Sequence, residues 1–122
     1  MKTLSAILIL AALGSAQAYA DCSYPKAPAK IPDGSSATMQ QMVAAMTQLK
    51  EYNEQVKAYT DCLKLEHDTA LAKADPQMSK EQKDEIEKVY IQKNDAAVDA
   101  ATAVTNRFNE QVRIFKAKQN KS

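Results

Sequence analysis

The chain holds two cysteines, and their placement limits its architecture more than any other feature. Cys22 lies near the front. Cys62 falls inside a stretch from Thr38 to about Lys73 whose apolar residues recur at three- and four-residue steps, the mark of a long helix with one buried face. A Cys22–Cys62 bridge would fold everything before Thr38 back along that helix; two free thiols would leave it loose. The leader favours the bridge. Lys2, an apolar run from Leu4 to about Leu13 and Ala18-Tyr19-Ala20 make a charged region, a hydrophobic region and an A-x-A cleavage site, so residues 1–20 read as a signal peptide that is removed. An exported protein meets an oxidising compartment, where an even pair of cysteines reads as one disulfide. The form of the leader fits a bacterial periplasm, with release outside the cell as the other destination. Asp21 directly before Cys22 does not suit a lipoprotein cleavage site.

From Asp21 to about Ala37 the chain is punctuated by Pro25, Pro28 and Pro32. Each proline fixes its own φ and pushes its predecessor toward extended conformations, so this stretch predicts an extended, polyproline-like arm. Pro32-Asp33-Gly34 predicts a turn in which the glycine tolerates a positive φ. Thr38-Met39-Gln40-Gln41 is a capping box and starts helix 1, expected over about 38–73, with Met42, Leu49, Tyr52, Val56, Tyr59 and Leu63 on its apolar stripe. Asp75-Pro76 ends it. Ser79-Lys80-Glu81-Gln82 is a second capping box and starts helix 2, expected over about 79–118. Its stripe runs through Ile86, Val89 or Tyr90, Ala97, Ala100 or Ala101, Val104, Phe108, Val112 and Phe115. Residues 119–122 are expected to fray.

Two long helices joined by a short loop must lie antiparallel to bury their stripes. Reflection about the loop sets Leu63 near Val89 and Tyr90, Val56 near Ala97, Leu49 near Val104 and Met42 near Val112. Ala96, Ala97, Ala100 and Ala101 then face the bulky Tyr52, Val56 and Tyr59, which lets the helices approach closely. The arm has the reach to close the bridge. Met39 to Cys62 rises roughly 35 Å at about 1.5 Å per residue, and an extended arm covers up to about 50 Å at around 3.1 Å per residue. The fold class is therefore all-α: a long antiparallel two-helix hairpin with an extended Pro-rich N-terminal arm, tethered by one disulfide. Tyr24, Pro25 and Ile31 are the arm's expected anchors.

The residues leave little room for catalysis. Of two glycines one lies in the leader, so neither a G-x-G-x-x-G nor a Walker-type phosphate loop exists. The single histidine, His67, stands between Glu66 and Asp68 and reads as a solvated side chain in the last turns of helix 1; with both cysteines oxidised, no zinc set remains. No catalytic residue, cofactor or metal is expected. Loss of Lys2 with the leader leaves 15 basic against 15 acidic side chains, interleaved, which gives no field to attract nucleic acid. No run beyond the leader is long and apolar enough to insert stably in a membrane. Met42, Met46, Tyr52 and Tyr59 have two readings: the core of the hairpin, or an adaptable surface for a partner or an unfolded chain. Asn53 and Asn94 lie at or beside the seam and could set register as buried asparagines do in coiled coils. A two-helix layer leaves one flank thinly covered, which permits a homodimer.

The series Cys22-Ser-Tyr-Pro25, Ile31-Pro-Asp-Gly34, Ala37-Thr38, Met42, Tyr59 and Cys62-Leu63 resembles a group of small exported helical proteins of xanthomonad-like Gram-negative bacteria to which no activity is assigned. That resemblance covers about the first half of the mature chain and implies a periplasmic address. Met78-Ser-Lys-Glu-Gln82 is more loosely similar to a helix start of Spy-type periplasmic chaperones. Together these imply a non-catalytic interaction or envelope-associated protein, with a stress chaperone that holds unfolded clients as the alternative.

Overall fold

The computed structural model describes residues 22–122, so the signal peptide, its cleavage site and Asp21 lie outside the described residues. Two helices make up the regular structure: α1 over Met39–Ala72 and α2 over Lys80–Gln119, with no strand among the described residues. Both capping boxes form. At α1 the Gln41 N–H donates to Thr38 Oγ1 at 3.2 Å, while the Thr38 N–H donates to Gln41 Oε1 at 2.8 Å. At α2 the Gln82 N–H donates to Ser79 Oγ at 3.2 Å and the Ser79 N–H to Gln82 Oε1 at 2.9 Å. Each box satisfies two backbone donors that a helix start leaves free, a contribution of about 1 kcal/mol per cap. Between the helices, Asp75 closes a short turn: its carbonyl accepts from the Met78 N–H at 2.7 Å and its side chain from the Gln77 N–H at 2.8 Å. Lys116 and Lys118 occupy the last turn of α2, where the helix dipole favours positive charge.

The hairpin buries the stripes its periodicity marks out. Met42, Leu49, Tyr52, Val56, Tyr59 and Leu63 from α1 pack with Ala97, Phe108 and Phe115 from α2, and Tyr90, Ala101, Val104 and Val112 lie against them. Ala97 is fully buried at 0% exposure opposite this bulky row, the position at which a small side chain lets the two backbones come together. Ala96, by contrast, is exposed and takes no part in that contact.

The arm forms the third packing element. Cys22 and Cys62 are joined in a disulfide that spans 40 positions with the Cα atoms 5.7 Å apart. One turn further along, the Tyr24 ring meets Tyr59 edge-on at 5.2 Å and 72°, an arrangement that suits the quadrupoles of two aromatic rings. Pro25 is buried and Ile31 packs against the core, whereas most of Tyr24 faces solvent at 59% exposure. The arm then crosses to α2, where the Gly34 N–H donates to Gln111 Oε1 at 2.8 Å. The turn itself is organised by Asp33, whose side chain accepts from the Ser35 N–H at 2.8 Å and Ser35 Oγ at 2.7 Å, and whose carbonyl accepts from the Ala37 N–H at 2.8 Å. Those two bonds to Ser35 also hold the Asp33 carboxyl below its ordinary range.

The role of Gly34 differs from the one its turn context predicts. No described residue has a positive φ. Glycine is required there because the arm lies directly on α2: a Cβ at position 34 would collide with the Gln111 carbonyl oxygen and lie 3.0 Å from the Phe115 nitrogen. The need is for close approach, not for an unusual dihedral.

Candidate interaction cleft

Beyond Cys62 the arm no longer covers the helix pair, and a cleft of about 430 Å³ opens between the loop-side halves of α1 and α2. Helical spacing builds it. Leu63, His67 and Ala70 fall on one face of α1 at steps of four and three, and Ile86, Val89, Tyr90 and Lys93 share one face of α2. The lining is mostly apolar with a few ionisable groups at the rim, the composition of a site that seats an apolar moiety and orients it by polar contacts. Leu63 forms its floor at 3% exposure, and Val89 stays open to solvent at 39%.

His67 is the polar centre of this wall. Its ring lies 4.6 Å from the Tyr90 ring, tilted by 31°, and only 12% of its side chain is exposed. Nδ1 faces Asp68 Oδ1 at 3.1 Å on the same helix, and Nε2 makes a short hydrogen bond to the Glu87 carboxylate on α2. The Asp68 bond, joined by that to Glu87, raises the affinity of the imidazole for its second proton above the ordinary value of 6.5, against the opposing effect of partial burial. Asp68 is held in turn by Lys64 Nζ at 2.6 Å, and the two bonds keep its carboxyl below the usual range. The expectation of a solvated histidine is thus corrected. His67 stands four residues after Leu63 on the core stripe, a spacing that marks it as inward-facing once the stripe is carried past Leu63 to Ala70.

Of the other residues singled out from the sequence, Cys22 and Cys62 come together as the disulfide. Met42, Tyr52 and Tyr59 lie in the core at 5%, 2% and 7% exposure, and burial raises both phenol pKa values. Met46 separates from them: it is 43% exposed and forms an apolar patch with Met39 and Val43 at the open end of the hairpin. Asn94 is half-buried and donates weakly to Asp95 on its own helix at 3.5 Å, and Asn53 is exposed. Glu66 brings a carboxylate within 4.8 Å of both cysteine sulfurs, the one grouping of potential metal ligands among the described residues. Its sulfurs are already spent on each other, so the trio offers no thiolate to a cation. Among the described residues no helix is long and apolar enough to cross a membrane.

No protein-family model, curated protein or solved structure matches this chain.

Proposed function

We propose that the protein is a non-catalytic interaction protein of the periplasm, envelope-associated and delivered there by the leader over residues 1–20. The observation that carries the reading is the uncovered apolar cleft between Leu63, Ala70, Ile86 and Val89 on a hairpin otherwise closed by its arm. A disulfide locks that arm in place, which fits an oxidising compartment. The cleft would take an apolar side chain or short apolar segment of a partner protein. A photo-crosslinking residue at Val89 in living cells is therefore expected to give an adduct of one defined mass that Ala70→Phe, which fills the cleft, abolishes. The same residue at exposed Lys83 is expected to give none. Equal adducts at both positions, or none at Val89, would remove the reading.

A second reading, a holder of unfolded clients, is favoured by the exposed patch of Met39, Val43 and Met46 at the other end of the hairpin. Methionine adapts to varied apolar surfaces. On that reading the mature protein suppresses light scattering by a thermally aggregating client, and the Met39→Ser, Val43→Ser, Met46→Ser triple variant does not. No suppression at several-fold molar excess ends it.

A further inference from the structure

The cleft is bounded by a contact whose strength depends on one proton. None of residues 64–96 is buried, so the helices beyond Leu63 are held together with little apolar packing. Within that span the hydrogen bond between His67 and Glu87 joins α1 to α2 directly. Both ring nitrogens of His67 face carboxylate oxygens, Asp68 on one side and Glu87 on the other. A neutral imidazole has one N–H and one lone pair; only the imidazolium can donate to both partners. With the proton gone, one nitrogen presents a lone pair to a carboxylate, and one of the two bonds becomes a repulsion.

We propose that Asp68, His67 and Glu87 form a protonation-dependent clasp that closes the loop-side ends of α1 and α2 over the cleft and releases them when His67 loses its second proton. The charged and titratable groups around His67 are consistent with it. Asp68, Glu66 and Lys64 lie on α1, with Lys64 neutralising part of Asp68; α2 contributes Glu87, Tyr90, and Glu85 and Lys93 at the cleft rim. The arm's nearest element is the Cys22–Cys62 disulfide, which does not titrate. Because the folded protein holds the His67 proton more tightly than an unfolded chain does, the clasp contributes fully below the ordinary histidine value. Its contribution fades as pH rises through the higher folded value. The cleft is closed at mildly acidic pH and opens toward alkaline pH.

The clasp deepens the interaction reading of the cleft, yet its test needs no partner, so failure of the two can be told apart. Nuclear magnetic resonance on the oxidised mature protein follows the His67 ring, the Tyr90 ring and the Val89 methyls through a pH titration. His67 is expected to titrate above its ordinary value, and the Tyr90 and Val89 signals to move with the same midpoint while Leu49 stays fixed. Glu87→Gln lowers that midpoint by about half a pH unit or more. His67→Gln removes the pH response of Tyr90 and Val89 and leaves the helical circular dichroism unchanged. A His67 midpoint at or below the ordinary value, or a titration that leaves Tyr90 and Val89 unmoved, would overturn the clasp.

Discussion

Replacing Cys22 and Cys62 together by alanine is expected to lower the thermal midpoint by roughly 20 °C. The bridge closes a loop of 40 positions, and the restriction it places on the unfolded chain amounts to about 4 kcal/mol at most. What it tethers is specific. Without it Tyr24 has no constraint holding its edge to the Tyr59 ring, and Pro25 leaves its buried position, so one side of the core beside Tyr52, Val56 and Tyr59 becomes wet. The helices remain at room temperature, since their caps and mutual packing do not involve the arm's first residues. Thermal circular dichroism of the double variant, and of the native chain with and without a reductant, measures the loss. A midpoint within about 3 °C of the native one would mean that the arm docks by its own contacts and the tether is incidental.

Gly34→Ala is expected to cost about 3 kcal/mol, a drop of roughly 15 °C, through a different mechanism. The atoms the new methyl would strike are the Gln111 carbonyl and the Phe115 nitrogen, both in the backbone of α2. These sit four residues apart in the helical ladder and cannot rotate aside as a side chain would. The arm must lift instead, breaking the bond from the Gly34 N–H to Gln111 Oε1 and loosening Ile31 from the core. Gln111→Ala removes only that bond and is expected to cost about 1 kcal/mol; combined with Gly34→Ala it should add almost nothing, because the bond is already lost. Ser35→Ala, at an exposed position one residue on, is the control. Denaturant unfolding of the four variants decides the matter: a Gly34→Ala protein within about 0.5 kcal/mol of the native one would show that the approach of arm and helix is not tight.

Much of this architecture is legible in the residue order because the signals are local or numerical. A Ser or Thr followed three residues later by glutamine marks each helix start, and α1 and α2 begin within one residue of the positions so marked. The four-and-three spacing of Met42 through Leu63 names the core of α1 directly. The disulfide needs no search, since two cysteines allow one pairing. What escaped the sequence depends on distance through space. Gly34 reads as a turn residue, for nothing in its neighbourhood reveals that Gln111, 77 positions later, presses on it. His67 reads as solvated because its own neighbours are charged; the partner that draws it inward, Glu87, is across the hairpin. Tyr52 and Tyr59 illustrate the opposite difficulty: the same stripe suits a core or a docking surface, and the arm lying over them is what makes them core.

The bridge from Cys22 to Cys62 also governs how the molecule transmits tension. A pull applied at the two chain ends passes straight from one sulfur to the other and on through the later part of α1, so everything between is a slack ring outside the force path. Its contour is released only by a chemical event, cleavage of that bond. Stretching thus separates the helices from one another long before it disturbs the arm, and the element that looks most like a loose strap is mechanically the best sheltered part of the protein.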